Sequence, residues 1–190
     1  WVRWTAGLTW QIEGSLPPGP VVIAAKHQSA FETYLFPVIR PDCVFVLKQE
    51  LLRVPLVGWY LARSGQIAID RQAGSAALRQ MLAAARSRVA DGLSLIIFPE
   101  GTRVAPGQSA PLHPGVRALY SALNVPVVPI VLDSGHYWPR NSFLRRPGLI
   151  RIVVRPPLPA GLGRREFEVA LATALAELPA PQGEGPCVSG

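Results

Sequence analysis

Short apolar runs that end in polar clusters constrain the fold of this chain most strongly. The clearest run covers residues 21–25, Val-Val-Ile-Ala-Ala, which follow Pro-Gly-Pro and come directly before Lys26 and His27. A run this short, bounded by turn residues and rich in β-branched side chains, is typical of a buried strand. The polar residues after it should therefore lie at the exposed end of that strand.

Alternating strand and helix patterns along the chain predict an α/β fold. The expected architecture is a single layered domain with a mixed, largely parallel sheet flanked by helices, and with functional loops at strand ends. The predicted strands cover residues 8–12, 21–25, 44–47, 66–69, 93–98, 125–131 and 149–154. The predicted helices cover residues 31–38, 51–63, 75–91, 115–123 and 165–178.

His27 and Glu32 form the first candidate for catalytic chemistry. They stand five positions apart at a predicted junction between a strand and a helix. A carboxylate that binds one imidazole nitrogen leaves the other free to take a proton from an alcohol. Ser29 and Glu32 also have the spacing of a capping box, which offers a purely structural reason for the same residues.

Two further strand ends carry residues suited to anion binding. The run at 96–98 ends in a turn, Pro99 to Arg103, that contains Glu100, Gly101 and Thr102. Glycine lets a backbone approach a ligand closely, and a guanidinium can bind a phosphate with two parallel hydrogen bonds. A second arginine, Arg71, follows the predicted strand 66–69.

Four segments in order carry a family resemblance: 26–33, 48–71, 96–103 and 125–130. Together they resemble the glycerolipid acyltransferase family, typified by bacterial 1-acyl-sn-glycerol-3-phosphate acyltransferases. The first motif of that family reads His, four residues, Asp, whereas this chain has Glu32 in the acidic position. The extra methylene changes the geometry of the contact with His27 by about one bond length.

The resemblance implies an enzyme that transfers a fatty acyl group from an acyl thioester, acyl-CoA or acyl-carrier protein, to the 2-hydroxyl of 1-acyl-glycerol-3-phosphate. The catalytic residues would be His27 as general base and Glu32 as its orienting carboxylate. No metal and no other cofactor would be needed. The acceptor phosphate would be bound by a set of residues on the two other strand ends, namely Arg71, Glu100, Gly101, Thr102 and Arg103.

Two alternatives to this function remain open at the level of sequence. One is an O-acyltransferase for another lysolipid, such as lyso-ornithine lipid, which would keep His27 and Glu32 without a phosphate site. The other is a non-catalytic module that binds membranes through basic residues. Residues 134–165 contain seven arginines and no acid, and no recognised nucleic-acid motif accompanies them, so we expect no nucleic-acid partner.

Composition indicates a chain that works at a membrane surface. Charged residues make up 16% of the sequence, against about 25% in an ordinary soluble domain, and the mean hydropathy is +0.24. The resemblance implies one acyltransferase domain over residues 1–178, with an upstream membrane segment missing from this chain. The proline and glycine content of residues 179–190 predicts a flexible tail. The expected location is the cytoplasmic face of the bacterial inner membrane.

Overall fold

A computed structural model describes residues 7–140, 142, 145–176 and 178 of the chain. The strands in these residues form one seven-stranded sheet in the spatial order β1-β7-β6-β2-β5-β3-β4. In chain order they are β1 (Leu8–Glu13), β2 (Val22–Ala25), β3 (Cys43–Lys48), β4 (Ile67–Ile69), β5 (Ser94–Ile97), β6 (Val127–Leu132) and β7 (Gly148–Val154). Each of the seven predicted strands is confirmed, with ends that differ by one or two residues.

Five neighbouring strands of this sheet run parallel to one another: β6, β2, β5, β3 and β4. Strand β7 pairs antiparallel with β6, and β1 pairs parallel with β7. The prediction of a mixed, largely parallel sheet is therefore confirmed. Because the carboxyl ends of parallel strands lie at the same edge, the residues that follow these five strands meet there.

Helices cover both faces of the sheet. They are α1 (Phe31–Ile39), α2 (Val57–Arg63), α3 (Gly74–Ala90), α4 (Pro114–Ala122) and α5 (Arg164–Ala174). Side chains of α3, α4 and α5 pack in the core on one face, and side chains of α1 pack in the core on the other. Successive side chains of a strand point to opposite faces of the sheet, so one strand contributes to both cores. In β2, Val22 and Ala24 belong to the first core, and Ile23 and Ala25 belong to the second.

Two predicted helices differ from the observed ones. The helix expected at 51–63 is divided into a 3₁₀ segment, Gln49–Arg53, and α2, because Pro55 has no N–H to donate and Leu56 has φ +63°. The helix expected at 165–178 ends at Ala174, where Ala176 N–H donates to Thr173 O in a tighter turn.

Among the described residues, we find no helix that is both long enough and apolar enough to cross a membrane. The predicted tail at 179–190 lies outside the described residues.

Candidate active site

The candidate site lies at the edge where the five parallel strands end. His27 follows β2, the 99–103 turn follows β5, Arg71 follows β4 and Ser134 follows β6. These residues come from distant parts of the sequence and meet because their strands are neighbours in the sheet. This is the edge at which open α/β sheets place their ligand sites.

His27 and Glu32 form the predicted pair. Nδ1 of His27 lies 3.0 Å from Oε2 of Glu32. Because a carboxylate only accepts hydrogen bonds, this contact holds a proton on Nδ1 and leaves Nε2 as the nitrogen with a lone pair. The His27 side chain is 15% exposed, whereas the Glu32 side chain is fully buried.

Three donors surround the buried Glu32 carboxylate. Ser29 N–H lies 3.0 Å from Oε2 and 3.2 Å from Oε1, and Ser134 Oγ–H donates to Oε1. His27 supplies the third donor. A buried carboxylate is costly unless it is hydrogen-bonded, so this environment is what permits a charged Glu32 at full burial. The extra methylene of glutamate thus leaves the contact with His27 intact.

The capping box predicted for Ser29 and Glu32 forms only in part, because the N-cap residue of α1 is Ala30, which has no side-chain cap hydrogen bond. Ser29 Oγ accepts from Phe31 N–H at 3.0 Å, while Glu32 accepts from Ser29 N–H. The contact with Phe31 spans two residues, and α1 begins at Phe31. One carboxylate therefore closes the start of α1 and orients the histidine.

Ser134 was not among the predicted site residues; it is fully buried and 102 positions from Glu32. It is the first residue of the basic stretch 134–165, for which the sequence suggested a membrane-binding role. A hydroxyl directly after a buried strand, like the histidine after β2, is the signal that could have identified it.

Phe98 and Val104 fix the imidazole ring and its backbone. The rings of His27 and Phe98 stack with centroids 3.9 Å apart at an interplanar angle of 13°. The His27 carbonyl accepts from Val104 N–H at 2.8 Å. The ring is thus held on one side by an aromatic face and at one edge by Glu32, which fixes where Nε2 can point.

A groove of about 1110 Å³ opens beside His27. One part of it is cationic, with Lys48, Arg71, Arg103 and Arg140 in its lining. The remainder is mostly apolar and is lined by residues of α1, β3 and the 51–61 region, among them Pro37, Phe45, Val46, Leu47, Leu51, Leu56, Val57 and Leu61. A cavity of this size and division suits a ligand with an anionic head and a long apolar body.

Gly101 and Arg71 define the cationic part of the groove. Arg71 Nη1 donates to the Gly101 carbonyl at 2.8 Å, and Gly101 has φ +66°. A Cβ at Gly101 would lie 2.4 Å from the His113 ring and 2.6 Å from Arg71 Nη1, so only glycine fits here. Partial burial lowers the pKa of Arg71 below the usual arginine value, and nearby Glu50 opposes this shift.

His113 also lies in this region, although it was not among the predicted site residues. Its backbone N–H donates to Pro99 O at 2.8 Å, and its ring lies against Gly101. Burial lowers the pKa of His113, and the positive charges of Arg71 and Lys48 lower it further. A neutral ring leaves the positive charge of this region on the arginines and Lys48.

Thr102 and Arg103 also line the groove, as the sequence predicts. The Arg103 carbonyl accepts from Arg140 Nη1 at 3.1 Å, so a residue of the basic 134–165 stretch joins the same region. The structure therefore brings Arg71, Gly101, Thr102 and Arg103 together beside His27. Their roles in substrate binding stay predictions.

Glu100 lies elsewhere, although it was predicted with its neighbours. It is not among the residues that line the groove, and it borders a smaller cavity of about 260 Å³ together with Lys26. Lys26 Nζ lies 3.9 Å from Glu100 Oε1, and both side chains are buried. Burial raises the pKa of Glu100, while Lys26 and the backbone N–H groups of His27 and Ala110 oppose that shift. Its substrate-binding role stays a prediction, and the contacts observed are those of a buried ion pair.

A family model and individual relatives both match this chain, and both are acyltransferases. A family model described as Acyltransferase matches residues 8–133, about two thirds of the chain. A 1-acyl-sn-glycerol-3-phosphate acyltransferase of Pseudomonas aeruginosa is 38% identical over 160 residues, which cover 83% of this chain and 62% of that protein. A protein of the same description from Limnanthes alba is 32% identical, with 83% and 57% covered.

A solved structure supports the fold. The crystal structure of the 1-acyl-sn-glycerophosphate acyltransferase from Thermotoga maritima matches with a TM-score of 0.69 at 22% identity, covering 90% of this chain and 69% of that one. The chain spans about three fifths of the length of the curated relatives named above. From the family match over residues 8–133 and the ordered motifs at one sheet edge, we conclude that the chain belongs to the acyltransferase family.

Proposed function

We propose that this chain transfers a fatty acyl group from an acyl thioester to the 2-hydroxyl of 1-acyl-glycerol-3-phosphate, giving phosphatidic acid. The observation that carries the proposal is the position of His27. Its imidazole, oriented by Glu32, lines a groove that has a cationic part and an apolar part. The relatives named above are described as acting on this acceptor, which agrees with that arrangement.

The His27–Glu32 pair supplies the base for this reaction. Nε2 takes the proton of the acceptor hydroxyl as its oxygen attacks the thioester carbonyl, and the resulting imidazolium is stabilised by Glu32. The carbon–sulfur bond then breaks, and the leaving thiolate takes the proton from Nε2. No covalent enzyme intermediate is needed, because the thioester is already activated.

The cationic part of the groove would bind the acceptor phosphate. Arg103 and Arg71 can each present a planar fork to phosphate oxygens, and Thr102 adds a hydroxyl beside them. The apolar part would hold acyl chains next to Phe98 and His27. Alignment of donor and acceptor in one groove can contribute several kcal/mol to the lowering of the barrier.

The decisive experiment measures thiol release and phosphatidic acid together, with lysophosphatidate and an acyl thioester as substrates. Arg103→Ala should raise the acceptor KM at least tenfold with a much smaller effect on the donor KM, since a charge-assisted bidentate contact is lost. Arg103→Lys should restore part of the affinity, because an ammonium binds phosphate as a point charge. Arg86→Ala, an exposed arginine on α3, is the matched control and should leave both constants unchanged.

The same assay tests the alternatives. Equal use of lysophosphatidate and an uncharged monoacylglycerol would remove the phosphate site and favour another lysolipid acceptor. Absence of thiol release with every lysolipid would favour a non-catalytic lipid-binding module. Assays with acyl-CoA and with acyl-carrier protein identify the donor.

The setting of the reaction is a further part of the proposal. Lipid substrates place the enzyme at a membrane surface, and we propose the cytoplasmic face of the bacterial inner membrane as its location. The exposed apolar side chains around the groove support a membrane surface. Fractionation of cells that express the protein, followed by protease protection of inverted and right-side-out vesicles, tests the location and the side.

A further inference from the structure

Exposed apolar side chains are concentrated in one segment beside the groove. Twelve large apolar side chains are exposed within the described part of the chain, and half of them fall between residues 51 and 60. They are Leu51, Val54, Leu56, Val57, Trp59 and Tyr60. Single exposed apolar residues are ordinary, whereas a concentration of this kind marks an interaction surface.

The backbone holds this segment in a defined shape. Gly58 N–H donates to Val54 O at 2.7 Å, and a Cβ at Gly58 would lie 2.0 Å from Leu52 O, so the 3₁₀ segment and α2 pack too closely for any other residue. Leu56 adopts φ +63°, a conformation rare outside glycine, with its side chain 85% exposed. An apolar side chain held at a strained and largely exposed position points to a binding role, because the fold gains little burial from it.

The charges of the segment favour an anionic partner. Residues 51–63 contain Arg53 and Arg63 and no acid. The Arg63 guanidinium lies 4.8 Å from the centre of the Trp59 ring. Tryptophan and tyrosine beside arginine, with apolar side chains further out, is the composition that proteins use at the boundary between lipid headgroups and acyl chains.

The segment is continuous with the groove. Leu51, Leu56, Val57 and Tyr60 line the groove that holds His27, whereas Val54 and Trp59 are exposed without lining it. A lipid that leaves a bilayer beneath this segment would therefore enter the groove along an apolar wall.

From these observations we infer that residues 51–63 dock the groove onto the surface of an anionic phospholipid bilayer, with Val54 and Trp59 inserted at the level of the headgroups. The inference rests on the proposed function, because that function explains why the groove must open toward lipid. It assigns the contact with the membrane to one segment of the described chain and gives the groove an orientation relative to the bilayer.

The test measures binding of the full chain to sucrose-loaded vesicles of phosphatidylcholine, with and without phosphatidylglycerol. The double variant Val54→Ser with Trp59→Ser should lower vesicle partition by about tenfold or more. Val169→Ser, which changes an exposed apolar residue on α5, is the matched control and should bind as the wild type does. Arg53→Gln with Arg63→Gln should remove most of the preference for phosphatidylglycerol, and added salt should do the same to the wild type.

A second measurement covers the case in which the double variant folds poorly. The emission of Trp59 is obtained as the difference in fluorescence between the wild type and Trp59→Phe. Brominated lipids should quench this emission, and bromines near the headgroups should quench it most strongly. The inference would be overturned if the double variant were well folded and bound vesicles as strongly as the wild type does. Absence of quenching at every bromine depth would also overturn it. A wild-type dimer that this variant converts to a monomer, with vesicle binding unchanged, would assign the segment to a second copy and also overturn it.

Activity on water-soluble substrates separates this inference from the proposed function. With a short-chain thioester and a short-chain lysophosphatidate below their micelle concentrations, the double variant should react within about twofold of the wild type. On vesicle-borne acceptor it should be slower in proportion to its weaker binding. A wild type that binds vesicles through this segment but acylates no lysolipid would refute the proposed function alone.

Discussion

Lys26 and His27 are neighbours in sequence, and each meets a buried glutamate, yet the two pairs are built differently. His27 lies 3.0 Å from a Glu32 carboxylate that Ser29 and Ser134 also satisfy. Lys26 lies 3.9 Å from Glu100, whose Oε2 has no hydrogen-bond partner within the described structure. His27 lines the large groove, whereas Lys26 and Glu100 both border the smaller cavity.

The difference follows from the strand that precedes both residues. Successive side chains of an extended backbone point to opposite faces, so the residue after β2 that faces the groove is His27, and Lys26 is directed away from it. A carboxylate with three donors holds one fixed geometry, which an orienting group requires. The Glu100 carboxylate has one oxygen without a hydrogen-bond partner among the described residues and a pKa raised by burial, so it is less suited to orienting a base.

The largest effect is expected from removal of the base. His27→Ala should lower turnover about a thousandfold, because Nε2 is lost while the groove and its cationic residues remain. Initial rates of thiol release, measured beside a circular dichroism spectrum of the same sample, give the result. A folded His27→Ala protein with rates near those of the wild type would show that the base lies elsewhere.

Glu32→Gln should lower turnover by about a hundredfold. The amide oxygen can still accept from Ser29 N–H, so the start of α1 should survive, whereas the amide NH₂ would donate to Nδ1 and place the imidazole proton on Nε2. The rate should fall with little change in either KM. Glu32→Asp is the informative partner variant, since it restores the acidic residue typical of the family motif. Activity of Glu32→Gln equal to that of the wild type would leave Glu32 with the capping role alone.

Ser134 is a positioning residue in this account, and its removal should have a smaller effect. Ser134→Ala leaves Oε1 of Glu32 with one donor fewer, which should lower kcat about tenfold and leave the acceptor KM unchanged. Ser134→Thr keeps the hydroxyl and should recover most of the rate. If the alanine and threonine variants lost activity equally, the effect would be one of packing.

The Lys26–Glu100 pair should affect the stability of the protein rather than its turnover. Because the folded-state pKa of Glu100 lies above its ordinary value of 4.5, the folded protein binds more protons at this site than the unfolded chain does, and this contribution to stability falls as pH rises above about 4.5. Glu100→Gln removes that decline. Urea unfolding at pH 4.5 and pH 7 should therefore show the variant gaining stability relative to the wild type as pH rises. A difference that stayed constant between the two pH values would contradict the shift.

Much of this arrangement was predictable because it depends on local pattern. Buried strands are short, β-branched and bounded by turn residues, so β2, β5 and β6 could be located from sequence. The His27–Glu32 contact was predictable for the same reason, since its spacing of five residues lies within one strand-to-helix turn.

Other features depend on which strands become neighbours, and sequence pattern does not contain that information. Ser134 reaches Glu32 only because β6 pairs with β2, and Glu100 turns away from Arg103 because of the conformation of the turn at Gly101. The interruption of the helix predicted at 51–63 was signalled by Pro55, which has no backbone N–H to donate.

The assignment of catalysis to His27 and not to its neighbour Lys26 is tested most directly with the variants His27→Asn and Lys26→Met. Turnover and thermal unfolding are measured for both variants under the same conditions. The Asn side chain can still donate toward Glu32 but has no group at the position of Nε2, so we predict an unfolding temperature near that of the wild type and turnover about a thousandfold lower. Lys26→Met leaves Glu100 without this partner and should lose about 1–3 kcal/mol of stability while its folded fraction keeps near-normal turnover. An active His27→Asn protein, or an inactive but stable Lys26→Met protein, would contradict the assignment of catalysis to the His27–Glu32 pair.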